Sequence, residues 1–285
     1  MSRARRRRRS GGGETWKVVL GALAGLVAAG VLGAMIWLNA TIERPPQLDA
    51  ATLCPTGPDS RPNQPTDGAR SVVVVLLDGS DALPEIAQLE VSKALTTLAE
   101  SVPAGGLLDV RRLDPAHPRG EVLFQRCNPG DGAGLSEWTA NPAAARRRWL
   151  ADFREPVDAI LARGVPVSDA ETSPIMATIQ GIAVEYQGAG DDTGEPNRLV
   201  IVSDMLENTP DYNQYREPLD YQAFKSSAAG RKFATNLDGA EVTIYYVSRD
   251  RSGEADSGAH IRFWEAWIAD NGGRLVEAVK LQGIG

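Results

Sequence analysis

Three short segments of the sequence put oxygen donors where they could act together. Asp78-Gly79-Ser80-Asp81 follows the apolar run Val72 to Leu77, Thr172-Ser173-Pro174 precedes another apolar stretch, and Ser203-Asp204 follows Leu199 to Val202. Carboxylates and hydroxyls of this kind suit a hard divalent ion such as Mg²⁺, with water completing the shell. Two carboxylates crowded together also favour a cation, because like charges in one site raise each other's cost of ionisation. A plainer role is open to each residue. Asp78 and Asp204 could cap the turns after their strands, and Ser173 before Pro174 could be a helix N-cap.

The elements that would position these segments are legible from hydrophobic pattern. Val72 to Leu77 is a continuous β-branched and leucine run, as expected of a central strand covered on both faces. Helix follows, with Asp81 as its cap, Pro84 in its first turn, and Leu83, Ala87, Val91, Ala94, Leu95 and Leu98 on one face. Shorter strands are expected over 106–113 and 121–126, then a turn at Cys127-Asn128-Pro129-Gly130. Asn141-Pro142 and Ser173-Pro174 open helices, the second with Ile175, Ile179, Ile182 and Val184 inward. Strands at 199–202, 241–247 and 275–279 and a helix over 257–270 burying Ile261, Trp264, Trp267 and Ile268 complete the pattern. Alternation of strand and helix predicts an α/β fold: a doubly wound, mainly parallel, Rossmann-like sheet with helices on both faces. In such sheets functional groups gather at the carboxyl ends of the strands, which brings the three segments to one rim.

At these residues the sequence resembles the von Willebrand factor A-type (VWA) domain, whose metal-ion-dependent adhesion site (MIDAS) combines an Asp-x-Ser-x-Ser loop, a Thr loop and an Asp loop. Asp78 and Ser80 match the start of the first motif, Ser173 in Ser-Pro-Ile is similar to the Thr-Pro-Leu form of the second, and Asp204 in Val-Ser-Asp-Met to the third. The departures are Ala82 for the last Ser, Ser173 for Thr, and Met205 where Gly commonly follows the Asp. The resemblance spans residues 70–280 and implies a non-catalytic protein-binding module. Its Mg²⁺ would be held by Asp78, Ser80, Ser173 and Asp204, with Asp81 and Thr172 auxiliary, and would present an open position to a partner carboxylate. The chain also resembles a group of membrane-anchored bacterial proteins carrying Cys-Asn-Pro-Gly, Ser-Pro-Ile and Ser-Asp-Met-Leu segments.

Ahead of this domain, Val18 to Leu38 runs without a charge, flanked by Trp16 and Trp37 and preceded by Arg3 and Arg5 to Arg9. Length, aromatic ends and basic flank predict a single transmembrane helix with the N-terminus inside. A cleaved signal peptide would have a shorter apolar core and small residues at its exit, where this chain has Trp37-Leu38-Asn39-Ala40. The division is a cytoplasmic Arg-rich tail (1–15), the membrane helix (16–39), a Pro- and Asp-rich linker (40–70) and the domain (71–285). The domain would stand in the periplasm or outside the cell, anchored in the cytoplasmic membrane, and would meet a protein partner there. Small residues at Gly21, Gly25, Ala29 and Gly33 would let two such helices approach, as a homo- or hetero-oligomer.

Formal charge is −7 overall although the first residues are basic, so the domain is more acidic still and unsuited to nucleic acid. Cys54 and Cys127, the only cysteines, would lie on an oxidising side and form a disulfide. Only two histidines exist, so a multi-His zinc site is excluded; His117, in a Pro-flanked loop, and His260, on an amphipathic helix, each read as a surface or packing residue. Readings from other classes are a metal-dependent phosphohydrolase working on the same acidic rim and a structural subunit of an envelope assembly.

Overall fold

A computed structural model of the chain describes residues 13–41, 47–56, 69, 71–80, 82–135, 137, 141–164, 167, 170–189, 195–247 and 257–281. The Arg-rich segment before residue 13 lies outside them. Two units result, residues 1–46 and 47–285. In the first, α1 (Gly13–Thr41) contains Val19–Trp37, 19 residues of mean hydropathy 2.3. At 1.5 Å per residue this stretch approaches the roughly 30 Å of a bilayer's hydrocarbon core, so it is long and apolar enough to cross one.

The second unit begins with a small hairpin, β1 (Gln47–Leu48) against β2 (Pro55–Thr56), within the stretch expected to be extended linker. Its turn is held by Asp49, whose Oδ1 accepts from Ala51 N, Thr52 N and Thr52 Oγ1. The main sheet follows: β3 (Val72–Leu77), β4 (Leu107–Arg112), β5 (Glu121–Cys127), β6 (Arg198–Ser203), β7 (Glu241–Val247) and β8 (Arg274–Leu281). Their order is β5-β4-β3-β6-β7-β8, all parallel except β5, which pairs antiparallel with β4. The sheet is therefore doubly wound, as the alternating pattern predicts, with a reversed edge where a short loop replaces a crossover helix.

Each residue of β3 is buried, and strand alternation sorts them between two helix layers. Val72, Val74 and Leu76 face α5 (Ile175–Tyr186) and α8 (Ser257–Asp270). Val73, Val75 and Leu77 face α2 (Glu85–Ser101) and α4 (Glu155–Arg163). α3 (Pro142–Trp149) joins α4 through one π-helical turn, and its cap Asn141 accepts from Ala144 N. Trp264 and Trp267 are core residues, as their spacing predicts.

Three expectations need correction. Pro84 precedes α2 as its N-cap rather than lying in its first turn. Val184 is 69% exposed, because α5 buries Ile175, Ile179, Ile182 and Tyr186 and position 184 falls off that face. Two short helices in the crossover after β6, α6 (Tyr221–Ser226) and α7 (Ala228–Lys232), were not anticipated; Asp220 and Ser227 cap them.

On β4, Asp109 and Arg111 are completely covered, a costly arrangement met by partners on Arg111 and on Asp109 Oδ2, while Asp109 Oδ1 has no hydrogen-bond partner among the described residues. Arg111 Nε donates to Asp109 Oδ2 at 2.7 Å, and its two terminal nitrogens reach Glu185 at 2.8 and 2.9 Å. Tyr186 donates its hydroxyl to Asp109. This network fastens the end of α5 to the sheet.

Cys54 and Cys127 are bonded, 73 residues apart in sequence. Cys127 pairs with Leu107 at the amino end of the parallel strands, and Cys127 N donates to Thr52 O at 2.8 Å. The bridge thus clamps the incoming chain onto the sheet edge. Replacing both cysteines with serine is expected to lower unfolding free energy by about 2–4 kcal/mol, through the loop closure lost from the unfolded state. Urea titration followed by tryptophan fluorescence measures it, and an unchanged midpoint would deny the clamp any energetic role.

Candidate functional site

The strand order reverses between β3 and β6, so their carboxyl ends open a crevice at the sheet's switch point. Asp78 is the residue immediately after β3, and its N–H donates to Val202 O at 2.9 Å, extending the ladder one step. Its side chain, 5% exposed, is consequently fixed at the crevice. Oδ1 accepts from Ser80 N at 2.9 Å. Oδ2 accepts from Ser203 Oγ at 2.7 Å and from Ser173 Oγ at 3.3 Å. A single carboxylate therefore ties together the loop after β3, the end of β6 and the loop before α5.

The hydroxyl of Ser173 is directed at Asp78, and α5 has Pro174 as its N-cap with no side-chain cap bond. Ser173 is held by its backbone: its N–H donates to Asn208 O at 2.9 Å and its carbonyl accepts from Asn208 N at 3.1 Å. Asp204 is buried in the loop after β6, its Oδ1 accepting from Leu206 N at 3.0 Å. Ser80 and Thr172 are half-buried beside these groups in sequence, and Asp81 lies outside the described residues. Among the described residues no three His, Cys, Asp or Glu side chains gather as a metal cluster; the Asp78 carboxylate is paired with two hydroxyls instead.

Met205, where the adhesion motif commonly has Gly, adopts φ 59°. A non-glycine residue in that region costs about 1–2 kcal/mol. Its side chain is completely buried, worth about 1.5–3 kcal/mol, which offsets the backbone cost. The turn is also held by Trp264, whose Nε1 donates to Met205 O at 2.8 Å.

Several members of the rim were not identified from sequence. Ser203 lies outside the motif, yet its hydroxyl makes the shorter bond to Asp78 and accepts from Met205 N at 2.8 Å. Glu207 is wholly buried, and its Oε2 accepts from Met176 N at 2.8 Å in the first turn of α5. Burial pushes its carboxyl up to about 8, against the lowering effect of the hydrogen bonds from Met176, Thr209 and Ile175. The only sequence signal is a charge just after Met205-Leu206, an apolar pair that draws the loop inward. His260 is buried as expected of a packing residue, with Nδ1 3.1 Å from Tyr246 Oη and Nε2 accepting from Trp264 Nε1 at 3.1 Å. Burial pushes it down to about 4. His117 is exposed, with Nδ1 3.1 Å from Asp114.

No protein-family model matches the sequence, and no curated protein does. Solved structures similar to it include a von Willebrand factor type A protein from Catenulispora acidiphila, at 12% identity and TM-score 0.38. That match covers 74% of this chain but 39% of the other, so this chain spans well under half its length. The SpRpn10 VWA domain is similar at 13% identity and TM-score 0.36, over 75% and 91% of the two chains. An aerotolerance-related membrane protein from Bacteroides fragilis is similar at 11% identity and TM-score 0.31, over 75% and 92%. Residues 47–285 carry a doubly wound α/β sheet of five parallel strands and one antiparallel edge strand. The three segments lie at the ends of β3 and β6 and ahead of α5.

Glu207 makes stability pH-dependent in a definite direction. Its carboxyl is raised from an ordinary 4.5 to about 8. The folded state therefore holds the proton more tightly, and stability present below pH 4.5 is lost as pH rises through about 8. Glu207→Gln should gain stability relative to wild type across that window, by at most about 1.4 kcal/mol per pH unit. His260 acts oppositely, losing stability as pH falls from 6.5 through about 4, and it is common to both proteins. Denaturant midpoints of the two at pH 5, 7 and 9 check this; parallel profiles would show that Glu207 does not titrate.

Proposed function

We propose that this chain is a membrane-anchored, non-catalytic protein-binding module whose rim holds a divalent cation, Mg²⁺ by its donor chemistry. The observation that carries the reading is the meeting of Asp78 with Ser173 and Ser203, from segments 95 and 125 residues away, at the switch point of the sheet. The donors fit such an ion. Adjacent ligands in an octahedral shell at about 2.1 Å lie roughly 3 Å apart, and Ser173 Oγ is 3.3 Å from Asp78 Oδ2. Asp78, Ser80, Ser173 and Asp204 would hold the ion, with Thr172 and Asp81 beside them and water in place of the oxygen that Ala82 lacks. The ion would offset the two buried carboxylates and supply a Lewis-acidic position for a partner's carboxylate. Asp78 has both oxygens engaged by serines, which suits a ligand and structural hub better than a general base.

The anchor is α1, and the domain faces the non-cytoplasmic side of a bacterial cytoplasmic membrane, in the periplasm or outside the cell. Support comes from the Arg cluster preceding the apolar stretch and from Cys54–Cys127, since such a bridge persists in oxidising compartments.

Two measurements test the reading. In intact cells, a thiol-reactive polyethylene glycol added after denaturation should leave the full chain unshifted on a gel until a reductant is supplied. A shift without reductant would place the domain on the reducing side. Calorimetric titration of Mg²⁺ into the full chain in detergent should give a saturable heat that Asp78→Ala or Asp204→Ala weakens by about tenfold or more. Equal heats from all three proteins, or none from any, would remove the metal from this reading. Turnover of phosphoesters lost on Asp78→Asn would replace it with a hydrolase.

A further inference from the structure

We infer that Glu207 is the positioning residue of this rim: by its reach alone, it holds the loop before α5 so that the Ser173 hydroxyl lies on Asp78. The inference deepens the metal reading and rests on it only for the ion-binding readout.

Pro174 is the N-cap of α5 and has no side-chain oxygen to offer the first turn, and the hydroxyl of the preceding Ser173 donates to Asp78. The first turn of α5 still requires acceptors, since its leading amides have no partner within the helix. Glu207 supplies one from a different loop, with Oε2 taking Met176 N at 2.8 Å. Glu207 thus supplies the side-chain acceptor that Pro174 lacks, while the Ser173 hydroxyl lies on the rim.

The strut is anchored at its base. Glu207 N donates to Gln214 Oε1 and Glu207 O accepts from Gln214 N, both at 2.9 Å, so the backbone there cannot slide. The next residue, Asn208, pairs with Ser173 in both directions, and its Nδ2 donates to Glu171 O at 2.8 Å. Asn213 Nδ2 in turn donates to Asn208 Oδ1 at 2.8 Å. Residues 207 and 208 therefore grip the chain on both sides of Pro174, one by side chain and one by backbone. A carboxyl at 0% exposure is costly to bury unless its bonds do something that an apolar residue could not. Holding Met176 while Asn208 holds Ser173 is that role.

Because the grip depends on length, two conservative variants separate it from a charge effect. Glu207→Gln keeps the reach and an acceptor oxygen; Glu207→Asp keeps the carboxylate but is one methylene short. In the full chain in detergent, Mg²⁺ affinity should be unchanged within about threefold for Gln and weakened about tenfold or more for Asp, the range found when an outer partner of a metal ligand is lost. Amide exchange at Ser173, Ile175 and Met176 should likewise accelerate about tenfold or more in Asp but not in Gln, while the amides of β3 and β6 keep wild-type protection. The reverse order of the two variants overturns the inference, as does acceleration spread evenly over the sheet, which marks a merely structural residue. If the wild type takes no Mg²⁺, the metal reading alone falls, and the exchange contrast decides Glu207.

Discussion

The rest of this domain depends on one junction, where the end of β3 meets the end of β6. Asp78 N–H donates to Val202 O, and the Asp78 carboxylate then accepts from the last residue of β6, Ser203. Doubly wound sheets open at this point because the helices that follow the two strands cover opposite faces. The gap leaves polar backbone and side chains without a covering helix. In this chain it is closed by hydroxyls and a carboxylate, which keep the polarity that a ligand would require. Replacing them with apolar side chains would seal the crevice equally well and remove any means of recognising a ligand.

A second layer of buried polar groups carries the junction. Met205, Glu207 and Gln214 of the loop after β6 and His260 and Trp264 of α8 are linked by hydrogen bonds. Such groups add little net stability, but a wrong arrangement would leave one of them unsatisfied at a cost of about 1–3 kcal/mol. They select one loop conformation among many of similar apolar content. Met205 shows this: a residue without glycine's freedom holds φ 59° because its side chain is packed in the core and its carbonyl is bonded by Trp264.

What the sequence disclosed follows from the range of the forces involved. β3 and β6 were legible because residues buried on both faces must be apolar, β7 because its buried residues Val242, Ile244 and Tyr246 alternate, and the tryptophans of α8 because helix burial repeats at 3.6 residues. Asp78, Ser173 and Asp204 were legible because they sit just outside such elements, where chain direction alone sets their place. Glu207 and Asn208 were not. Their partners are Met176 and Ser173, more than thirty residues earlier, and no local period encodes that pairing. Asp109 and Arg111 escaped notice for the same reason: a charged pair reads as exposed until Glu185 and Tyr186 arrive from α5 to cover it. Val184 misled in the opposite sense, since apolar character suggested burial where the phase of the helix turned it outward.

The position of the disulfide bears on how such a rim could be used. β5 runs against its neighbours, so Cys127 pairs with Leu107 at the amino end of the parallel strands, while Asp78 and Ser203 stand at the carboxyl end. The chain arriving from the apolar helix is therefore fixed to the domain at Cys54, at the opposite end of the sheet from the candidate site. Without the bridge, the segment 47–56 would be held, among the described residues, by the burial of Leu53 and Cys54 and by the bond from Cys127 N to Thr52 O. With it, pulling on the N-terminal side loads the edge strand through a covalent bond and leaves the hydroxyl and carboxylate contacts of the rim out of the path of force. A module read as tethered at one end and binding at the other needs that separation, because hydrogen bonds to the rim carboxylate are individually worth only about 1.5–3 kcal/mol and could not also bear the anchor.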